Sequence, residues 1–467
     1  MKRNLNQTVR NHRRGTNVMA SVLLMAAFAA LSPQDSQGAD YTYSRVAALG
    51  EAAPGGAKYF FDFERGQINN RHEIIYTADL TLDGTNDIGE GVFLRSKGLT
   101  FALVLPGDSL PGGVTAAGGT WGTSALNEAG DAAIAELLLP SMPPPINIGV
   151  FRYSAAAKSL SAVVVPGVTP APGGSVFQGA TIRVSINNHG ELAFAGVVPT
   201  TAGLAGGKGV GVFKAGPAGS ISSVAAPGDE APGGGAFDFA ENPWINDRGD
   251  VAFGAHIHGE EWIHPGGGTD NLAAGESVYL SKAPDGDIVS IAHQGDPAPG
   301  GGNFRIAWGP IVNNARQILF VGDLTAPPAV QQSQGLFLFN RHSTVAVVRP
   351  GDLLPGGGSL MNVGQYILSH HLNNRGQISF TAILSTGDEG VYVKSGSSIR
   401  LVAKTGMNIP GIGTVANFDS FGAGSDSGDS VMNERGQVVF FANLTNGGGA
   451  MVLATPKDED DRSEEDR

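Results

Sequence analysis

A histidine-rich stretch, AHIHGEEWIHPGGGTDN at residues 255–271, holds the side chains of this sequence that are best suited to chemistry. Two or three imidazoles beside a carboxylate form a suitable ligand set for Zn²⁺ or a related divalent ion. The stretch therefore predicts a metal site whose ligands are His256, His258, Glu260 and His264. It lacks the H-E-x-x-H spacing, so a solvated surface loop is the alternative interpretation.

Within the same stretch, Trp262 and Glu261 indicate a different kind of site. An indole ring beside polar groups suits a ligand that has both an apolar face and hydrogen-bonding groups. A carbohydrate or a peptide is such a ligand. The sequence alone leaves the metal site, the carbohydrate or peptide contact and the plain loop open.

A Pro-Gly phrase that recurs seven times supplies a second group of candidates, and VAAPGDEAPGGG at residues 224–235 is one copy. In four copies an aspartate follows the first glycine, and these are Asp108, Asp229, Asp296 and Asp352. Carboxylates gathered on one face of a fold would bind a cation or another ligand. Aspartate after glycine in a turn more often accepts hydrogen bonds from nearby backbone amides. We therefore expect these residues mainly to hold their own loops.

A second repeated phrase, such as INDRGDVAF at residues 245–253, shows which elements position these side chains. Its leading asparagines follow one another at spacings of 58, 60, 59, 67, 60 and 60 residues, and they are Asn69, Asn127, Asn187, Asn246, Asn313, Asn373 and Asn433. In N-x-x-G the asparagine suits the first position of a type I turn, and the glycine suits a left-handed residue after it. His72 and Arg316 replace that glycine in two copies, and we expect those two turns to open differently.

Each repeat, or unit, contains four short apolar segments, which we name strands A to D. Strand A precedes the asparagine, strand B follows it, strand C is a GVF-type segment, and strand D leads into the Pro-Gly phrase. Four antiparallel strands repeated seven times predict an all-β fold, a seven-bladed β-propeller. The last unit lacks strand D, whereas residues 43–49 form a strand D with no A, B or C before it. We predict that this segment pairs with strand C of the last unit and closes the ring, because closure covers both free sheet edges.

The loops of such a ring alternate between its two faces. The D–A loops, which contain the Pro-Gly phrases, share one face with the B–C loops, while the A–B and C–D turns share the other. The histidine-rich stretch is the B–C loop of the fourth unit. It is therefore predicted to lie on the same face as the four aspartates.

The repeats resemble a bacterial family, the choice-of-anchor tandem-repeat NxxGxxAF-containing proteins. INDRGDVAF and INNHGELAF (186–194) carry the full motif, and the resemblance covers residues 43–454. It implies export, commonly with a carboxy-terminal sorting or anchoring signal, and no established activity. This chain ends instead in an acidic tail that has neither an apolar segment nor a sorting motif.

The composition and the two ends of the sequence limit the kinds of function that this chain is expected to have. Basic residues before the apolar run VMASVLLMAAFAAL predict a signal peptide over residues 1–39, followed by the propeller over 40–456 and a disordered acidic tail over 457–467. Without the signal, 25 Lys and Arg face 42 Asp and Glu, which argues against nucleic acid and anionic lipid as partners. No further segment is long and apolar enough to span a membrane. The absence of cysteine excludes thiol catalysis and thiolate metal sites.

The sequence leads to two functional hypotheses. The main one is a secreted or periplasmic, monomeric β-propeller that acts as a non-catalytic binding or scaffold module for a protein, a peptide or a carbohydrate. The other is a metal-assisted hydrolase or lyase that uses His256, His258, Glu260 and His264. The fold alone does not choose between them, because propellers support both kinds of function.

Overall fold

The computed structural model describes residues 40–118, 124–140, 147–199, 208–260, 277–325, 334–364, 369–418 and 430–457. Every regular element in these ranges is a β-strand. None of the ranges contains a helix with the length and apolar character needed to cross a membrane. The predicted signal peptide and residues 458–467 of the acidic tail lie outside the described residues.

The strands are short and follow one another closely along the chain. Those of the first two units, with the segment before them, are β1 (Tyr41–Ala48), β2 (Lys58–Ile68), β3 (Ile74–Thr81), β4 (Asp87–Ser96), β5 (Leu99–Val104), β6 (Ser109–Leu110), β7 (Val114–Thr115), β8 (Ser124–Leu126), β9 (Ala132–Leu137), β10 (Ile148–Ser154) and β11 (Ser159–Val164). Those of units three to five are β12 (Gly179–Ile186), β13 (Leu192–Pro199), β14 (Lys208–Ala215), β15 (Ile221–Ala225), β16 (Phe237–Ile245), β17 (Val251–Ile257), β18 (Ser277–Lys282), β19 (Asp287–Ala292), β20 (Phe304–Val312), β21 (Gln317–Leu324), β22 (Gln334–Asn340) and β23 (Ser343–Val348). The remaining strands are β24 (Leu360–Val363), β25 (His370–Leu372), β26 (Ile378–Leu384), β27 (Glu389–Ser395), β28 (Ser398–Lys404), β29 (Asn408–Ile409), β30 (Gly413–Asn417), β31 (Ser430–Met432), β32 (Val438–Leu444) and β33 (Gly449–Pro456).

The strands pair as antiparallel sheets in the order A–B–C–D. Units one, two and five form separate four-stranded sheets, β2–β5, β8–β11 and β20–β23. Units three and four share one eight-stranded sheet because Val210 of β14 makes a single parallel contact with Phe239 of β16. In the last two units strand A is split into two segments, β24 with β25 and β30 with β31, which pair with strand B. The sheets form a β-propeller, as the sequence predicts.

The two ends of the propeller pair with each other. Strand β1 runs antiparallel to β33, with Arg45 opposite Val452 and Ala47 opposite Met451. The hydroxyl of Tyr43 also donates to the carbonyl of Val402, 2.6 Å away, which ties the closing strand to the preceding unit. The predicted pairing of residues 43–49 with strand C of the last unit is confirmed.

Aromatic pairs between strands B and C form part of the buried core. Phe194 lies opposite Phe213, their ring centroids are 5.8 Å apart, and both side chains are buried. The same cross-strand stacking recurs in four other units, between Tyr76 and Phe93, Phe253 and Tyr279, Phe320 and Phe337, and Phe380 and Tyr392. Such pairs contribute about 0.5–1.5 kcal/mol each beyond the apolar area that they bury. Strand D is the most exposed strand of the unit, as Leu99 and Phe101 show.

The asparagine turns keep one geometry in all units. In the first unit, Asn69 Oδ1 accepts hydrogen bonds from the backbone amides of Arg71 and Glu73, each at 3.0 Å. His72 and Arg316 take left-handed φ angles of 62° and 61°, and their amides bond to the carbonyls of Asn69 and Asn313 as the glycines do elsewhere. The expectation that these two turns open differently is wrong. The turn tolerates a side chain there at a cost of about 1–2 kcal/mol.

The loops lie on two faces, as predicted. The ends of strand B bond to the loops that follow the Pro-Gly phrases, for example His258 N to Ala236 O at 2.8 Å and Thr325 N to Asn303 O at 2.9 Å. On the opposite face, the C–D turns bond to the asparagine turns, as Ala283 N does to Asp250 Oδ1 at 2.9 Å. We call the first the Pro-Gly face and the second the asparagine face.

Candidate functional site

The seven leading asparagines form a closed ring of hydrogen bonds between the units. Asn69 Nδ2 donates to the backbone carbonyl of Asn127 at 3.1 Å, and each following asparagine donates to the next in the same way. Asn433 then donates to the carbonyl of Asn69 at 3.1 Å. The side chain therefore has two functions, since Oδ1 shapes its own turn and Nδ2 joins it to the next unit.

A row of six hydrogen bonds runs beside this ring and involves the residue after each asparagine. The amide of Asn70 donates to Glu128 Oε2 at 3.0 Å, and the amide of Asn188 donates to Asp247 Oδ1 at 2.8 Å. Burial and the charge of Glu434 raise the pKa of Glu128 above its ordinary value, although hydrogen bonds from Asn70 oppose the shift. The charge of Glu434 therefore acts on Glu128 across this face.

A cavity of about 230 Å³ opens inside the asparagine ring on the asparagine face. Besides ring residues, it is lined by strand A side chains, among them Gln67, Ser185, Trp244 and His371. The rings of Trp244 and His371 meet edge to face with centroids 5.5 Å apart. The cavity thus combines one large aromatic surface with amide, carboxylate and imidazole groups.

Three of the strands A that line this cavity, β12, β16 and β25, also carry ionisable residues. Glu241 of β16 is 6% exposed, and Asn242 Nδ2 donates to its Oε1 at 3.0 Å. Burial raises the pKa of Glu241 to about 8, although the charge of Arg183 and the Asn242 bond act in the opposite direction. The carboxyl group is therefore largely protonated at neutral pH and can donate a proton or a hydrogen bond.

Two adjacent histidines complete this layer. His370 Nε2 lies 2.7 Å from the carbonyl of Gly309, so Nε2 carries the hydrogen and Nδ1 carries the lone pair. Nδ1 of His370 and Nδ1 of His371 have no hydrogen-bond partner among the described residues. Burial lowers the pKa of His370 to about 4 and that of His371 to about 3. Both imidazoles are neutral at physiological pH.

The histidine-rich stretch is organised by a residue that sequence reasoning missed. His256 is buried, and its Nδ1 lies 2.7 Å from Asp238 Oδ1. The exposed His258 lies near the same carboxylate, with Nδ1 3.7 Å from Asp238 Oδ2. Asp238 is on β16, which pairs with β17, and it could not be found without the register of that pairing.

The other predicted ligands do not all join this group. Glu260 Oε1 instead contacts Nε2 of His293 at 3.0 Å, and His293 stands at the start of the next Pro-Gly loop. Glu261, Trp262 and His264 lie outside the described residues. Within the described ranges, no three His, Asp or Glu side chains are arranged to hold a metal ion.

The four aspartates of the Pro-Gly phrases hold their own loops. Asp229 Oδ2 accepts a hydrogen bond from the amide of Ala226 at 2.7 Å. Asp108, Asp296 and Asp352 make the same bond at 2.8 Å to the amides three residues before them. Where Val168 interrupts the series, Thr169 Oγ1 takes over and accepts from Val165 N at 2.8 Å. The expected loop-holding role is confirmed, and a ligand role for these aspartates stays a prediction.

Comparison with known proteins places the chain in a family. Residues 25–387 and residues 262–453 match the profile described as "Family of unknown function (DUF7453)". The chain belongs to this family. The two matches overlap, as is expected when similar repeats align to one profile in two registers. A search of curated proteins finds no match.

Solved structures with similar folds include proteins of several kinds. The β-propeller domain of the Trilobed protease from Pyrococcus furiosus, described as having an open velcro topology, is 10% identical with a TM-score of 0.49, covering 85% of this chain and 96% of that one. A puromycin-hydrolyzing peptidase of Mycobacterium tuberculosis is 13% identical with a TM-score of 0.44, covering 91% of this chain and 55% of the peptidase, so this chain spans about half of its length. An ulvan lyase of polysaccharide lyase family PL25 is 8% identical with a TM-score of 0.43, covering 90% and 99%. Similarity at this level says nothing about activity.

Sequence reasoning missed Arg183, Glu241 and Trp244, which all lie in strands A. Counted from the leading asparagines, Arg183 and Glu241 have counterparts of the same residue type in the first unit, Arg65 and Glu64, whereas no other unit has a tryptophan at the Trp244 position. A comparison of the units position by position would have singled out Trp244. The cavity wall offers the neutral imidazole of His371, the indole ring of Trp244 and the amide of Gln67, which are groups that bind a polar ligand.

Proposed function

We propose that this protein is an exported, seven-bladed β-propeller with four-stranded blades that acts as a non-catalytic binding module in the secreted or periplasmic space. The seven links of the asparagine ring support the blade count, as does the completion of the last unit by β1. The amino-terminal sequence pattern supports export. We expect the protein to be a monomer.

The ligand we propose is a saccharide residue bound in the cavity on the asparagine face. The observation that carries this proposal is the Trp244 ring at a cavity of about 230 Å³ whose other walls are hydrogen-bonding side chains. A sugar ring has an apolar face that packs on indole and hydroxyl groups that need donors and acceptors. Gln67 and His371 supply such donors and acceptors at the cavity wall.

Carboxylates at the cavity wall narrow the class of saccharide. Glu128, Asp247 and Glu434 all line it, and the formal net charge of the chain is −13. Neutral or amino sugars are therefore favoured over uronic acids and sulfated sugars at this site, because like charges repel.

A glycan-array screen followed by calorimetry tests this proposal. We expect a neutral or amino-sugar glycan to bind the wild-type protein, and Trp244→Leu to weaken it by roughly tenfold or more, since the replacement keeps apolar volume but removes the ring. Trp262→Ala is the matched control because it removes the indole of the histidine-rich stretch. Loss of binding in the Trp262 variant alone would move the site to that loop, and the absence of any bound glycan would reject a saccharide ligand.

A second candidate function is metal-assisted hydrolysis or lyase chemistry at the histidine-rich stretch. The Asp238–His256 contact of 2.7 Å favours it, because a carboxylate that orients an imidazole is common around metal ions. The residues present fit a metal only in part, since His256 contacts Asp238 but His258 Nδ1 lies 3.7 Å from that carboxylate, and the described ranges hold no three such side chains that could bind an ion. Completion of the ligand set would depend on His264, which lies outside the described residues.

Elemental analysis of the purified protein distinguishes this candidate from the first. A stoichiometric transition metal that disappears in the His256→Ala, His258→Ala double variant would support it. Metal content that is absent, or unchanged in that variant, rejects it.

A further inference from the structure

A basic groove lies between the fourth and fifth units on the asparagine face. It encloses about 370 Å³, within the range of small-molecule sites, and is lined by Arg248, Leu280, Lys282, Val289, Ala315, Arg316, Phe339, Arg341 and His342. Four of these side chains are permanently cationic at neutral pH, in a chain whose formal net charge is −13. The saccharide cavity described above is a different site with an acidic wall.

The repeats provide an internal comparison that shows the groove to be exceptional. Lys282 ends strand C of its unit, and the other six units have small or neutral residues there, which are Ser96, Ser154, Gly216, Asn340, Ser395 and Ala454. Arg316 replaces the turn glycine, which five other units keep. The departures from the repeat at these two positions therefore meet in one groove and both add positive charge.

Neighbouring acids neutralise only part of this charge. Arg316 makes a bidentate ion pair with the fully buried Asp250, at 2.8 and 2.9 Å. The Nε of Arg248 donates to the carbonyl of Asn314 at 2.6 Å. Within the described ranges, the side chains of Lys282 and Arg341 have no hydrogen bond or ion pair.

Cations near the asparagine turns of two other units are paired with acids. Arg71 contacts Glu73 at 2.6 Å, and Lys214 contacts Glu191 at 3.6 Å. Both acids stand four residues after the leading asparagine, and in the fifth unit that position holds the neutral Gln317. The fifth unit therefore has no acid at this position, as is also true of the sixth and seventh units with Gln377 and Gln437, and the positive charge of the groove is not cancelled there.

Arg316 also carries a conformational cost. Its φ is 61°, a left-handed value that costs an L-residue about 1–2 kcal/mol relative to glycine. Strained residues of this kind persist where the surrounding structure holds them, and they are enriched at ligand-binding sites. In this position the Arg316 guanidinium forms one wall of the groove and covers Asp250.

We propose that the basic groove binds a small organic molecule bearing a phosphate or sulfate ester. The oxyanion contacts the side chains of Lys282, Arg341 and Arg248, because charge-assisted hydrogen bonds to tetrahedral oxyanions are strong and favour such donors. The organic part packs on the apolar side chains of Leu280, Val289 and Phe339. Phosphate and sulfate esters share the chemistry that the groove recognises, and the probes below distinguish them.

Isothermal titration calorimetry with glucose 6-phosphate, glucose 6-sulfate, glucose and inorganic phosphate tests the proposal on the full chain. We expect saturable binding of at least one ester, weaker binding of inorganic phosphate and none of glucose. Lys282→Ser, which introduces the residue of three other units, and Arg341→Gly should each weaken binding by roughly tenfold. The affinity should fall as salt is added.

Lys158→Gly is the matched control. Lys158 and Arg341 both occupy exposed C–D turns with left-handed φ angles of 51° and 58°, so each change removes one positive charge and relieves the same backbone strain. Ester binding that survives in the control and is lost in Arg341→Gly supports the groove. Equal losses in both variants, binding of inorganic phosphate alone, or no ester binding overturns the proposal. Arg341→Gly keeps the test valid even if Lys282→Ser fails to fold, because its site is an exposed turn.

Discussion

The side chain of Asn433 donates a hydrogen bond to the backbone carbonyl of Asn69, 364 residues earlier in the chain. Six other bonds of the same kind join consecutive units, so this bond turns a row of contacts into a closed circle. Both groups are buried, with Asn69 2% and Asn433 4% exposed. Without this donor the carbonyl of Asn69 keeps only the bond from the His72 amide, and a buried polar group that loses a partner is costly.

Replacing Asn433 by Asp should therefore destabilise the protein by about 1–3 kcal/mol. The carboxylate can still accept the two amides of its turn, at 3.0 and 3.1 Å in the wild type, but it cannot donate to Asn69. Urea denaturation measures the change in the free energy of unfolding. Asn446→Asp is the control, because the exposed Asn446 only accepts a bond from Gly448 N. Equal effects of the two changes would contradict a stabilising role of the ring.

Cross-linking the two chain ends should stabilise the protein. Thr42 and Thr455 are opposite each other in the β1–β33 pair, and the chain has no cysteine to compete. Oxidation of a Thr42→Cys, Thr455→Cys variant closes a loop of several hundred residues, which should add roughly 3–5 kcal/mol to the free energy of unfolding. Denaturation with and without reductant measures it, and the Thr42→Cys single variant is the control. Persistently free thiols under oxidising conditions would show that the ends do not pair.

The buried carboxyls should make the protein less stable as the pH rises. Burial holds the pKa of Glu241 at about 8, so its folded form keeps a proton that the unfolded chain loses near pH 4.5. The protonated carboxyl group stabilises the folded state fully below pH 4.5, and this stabilisation is lost progressively as the pH rises to about 8. The free energy of unfolding should fall by on the order of 5 kcal/mol over this range. Glu241→Gln should flatten that part of the pH profile, measured by denaturation between pH 4.5 and 9.

A second carboxyl group adds to this alkaline loss of stability. Burial, together with the charges of Glu64 and Asp79, raises the pKa of Asp62 to about 10. Asp62→Asn should flatten the profile further, whereas Glu230→Gln, at an exposed loop position, should leave it unchanged. A wild-type profile that rises between pH 4.5 and 8 would refute both assignments.

Histidine protonation should weaken the protein at acid pH. Burial lowers the pKa of His370 to about 4, below the ordinary value near 6.5, so its stabilising contribution is complete above pH 6.5 and declines as the pH falls to 4. The loss is on the order of 3 kcal/mol. His370→Gln should remove it, because the amide can still donate to the Gly309 carbonyl but does not titrate. Denaturation at pH 4.5 and 7 measures this, and an exposed-site variant, His342→Gln, that behaves in the same way would count against it.

Sequence reasoning predicted what the repeats share and missed what single units add. The strand order, the two faces and the pairing of β1 with β33 follow from phrases that occur many times, so chance similarity could be excluded. The second function of Asn69, donation to the next unit, was invisible because it depends on how units are spaced in three dimensions. Asp238 was missed for a related reason, since only the register between β16 and β17 brings it to His256. The repeat pattern did not distinguish Arg183 and Glu241, because the first unit has Arg65 and Glu64 at the same positions.

The pairing of β1 with β33 has a consequence for how the molecule is made. Strand β1 precedes the other strands of the ring and its partner β33 follows them, so the ring cannot close before β33 has been synthesised. Until β33 is available, the edge of β1 has no partner strand and is exposed to pairing with other chains. We therefore expect the pairing of β1 with β33 to be the slowest step in the folding of this protein.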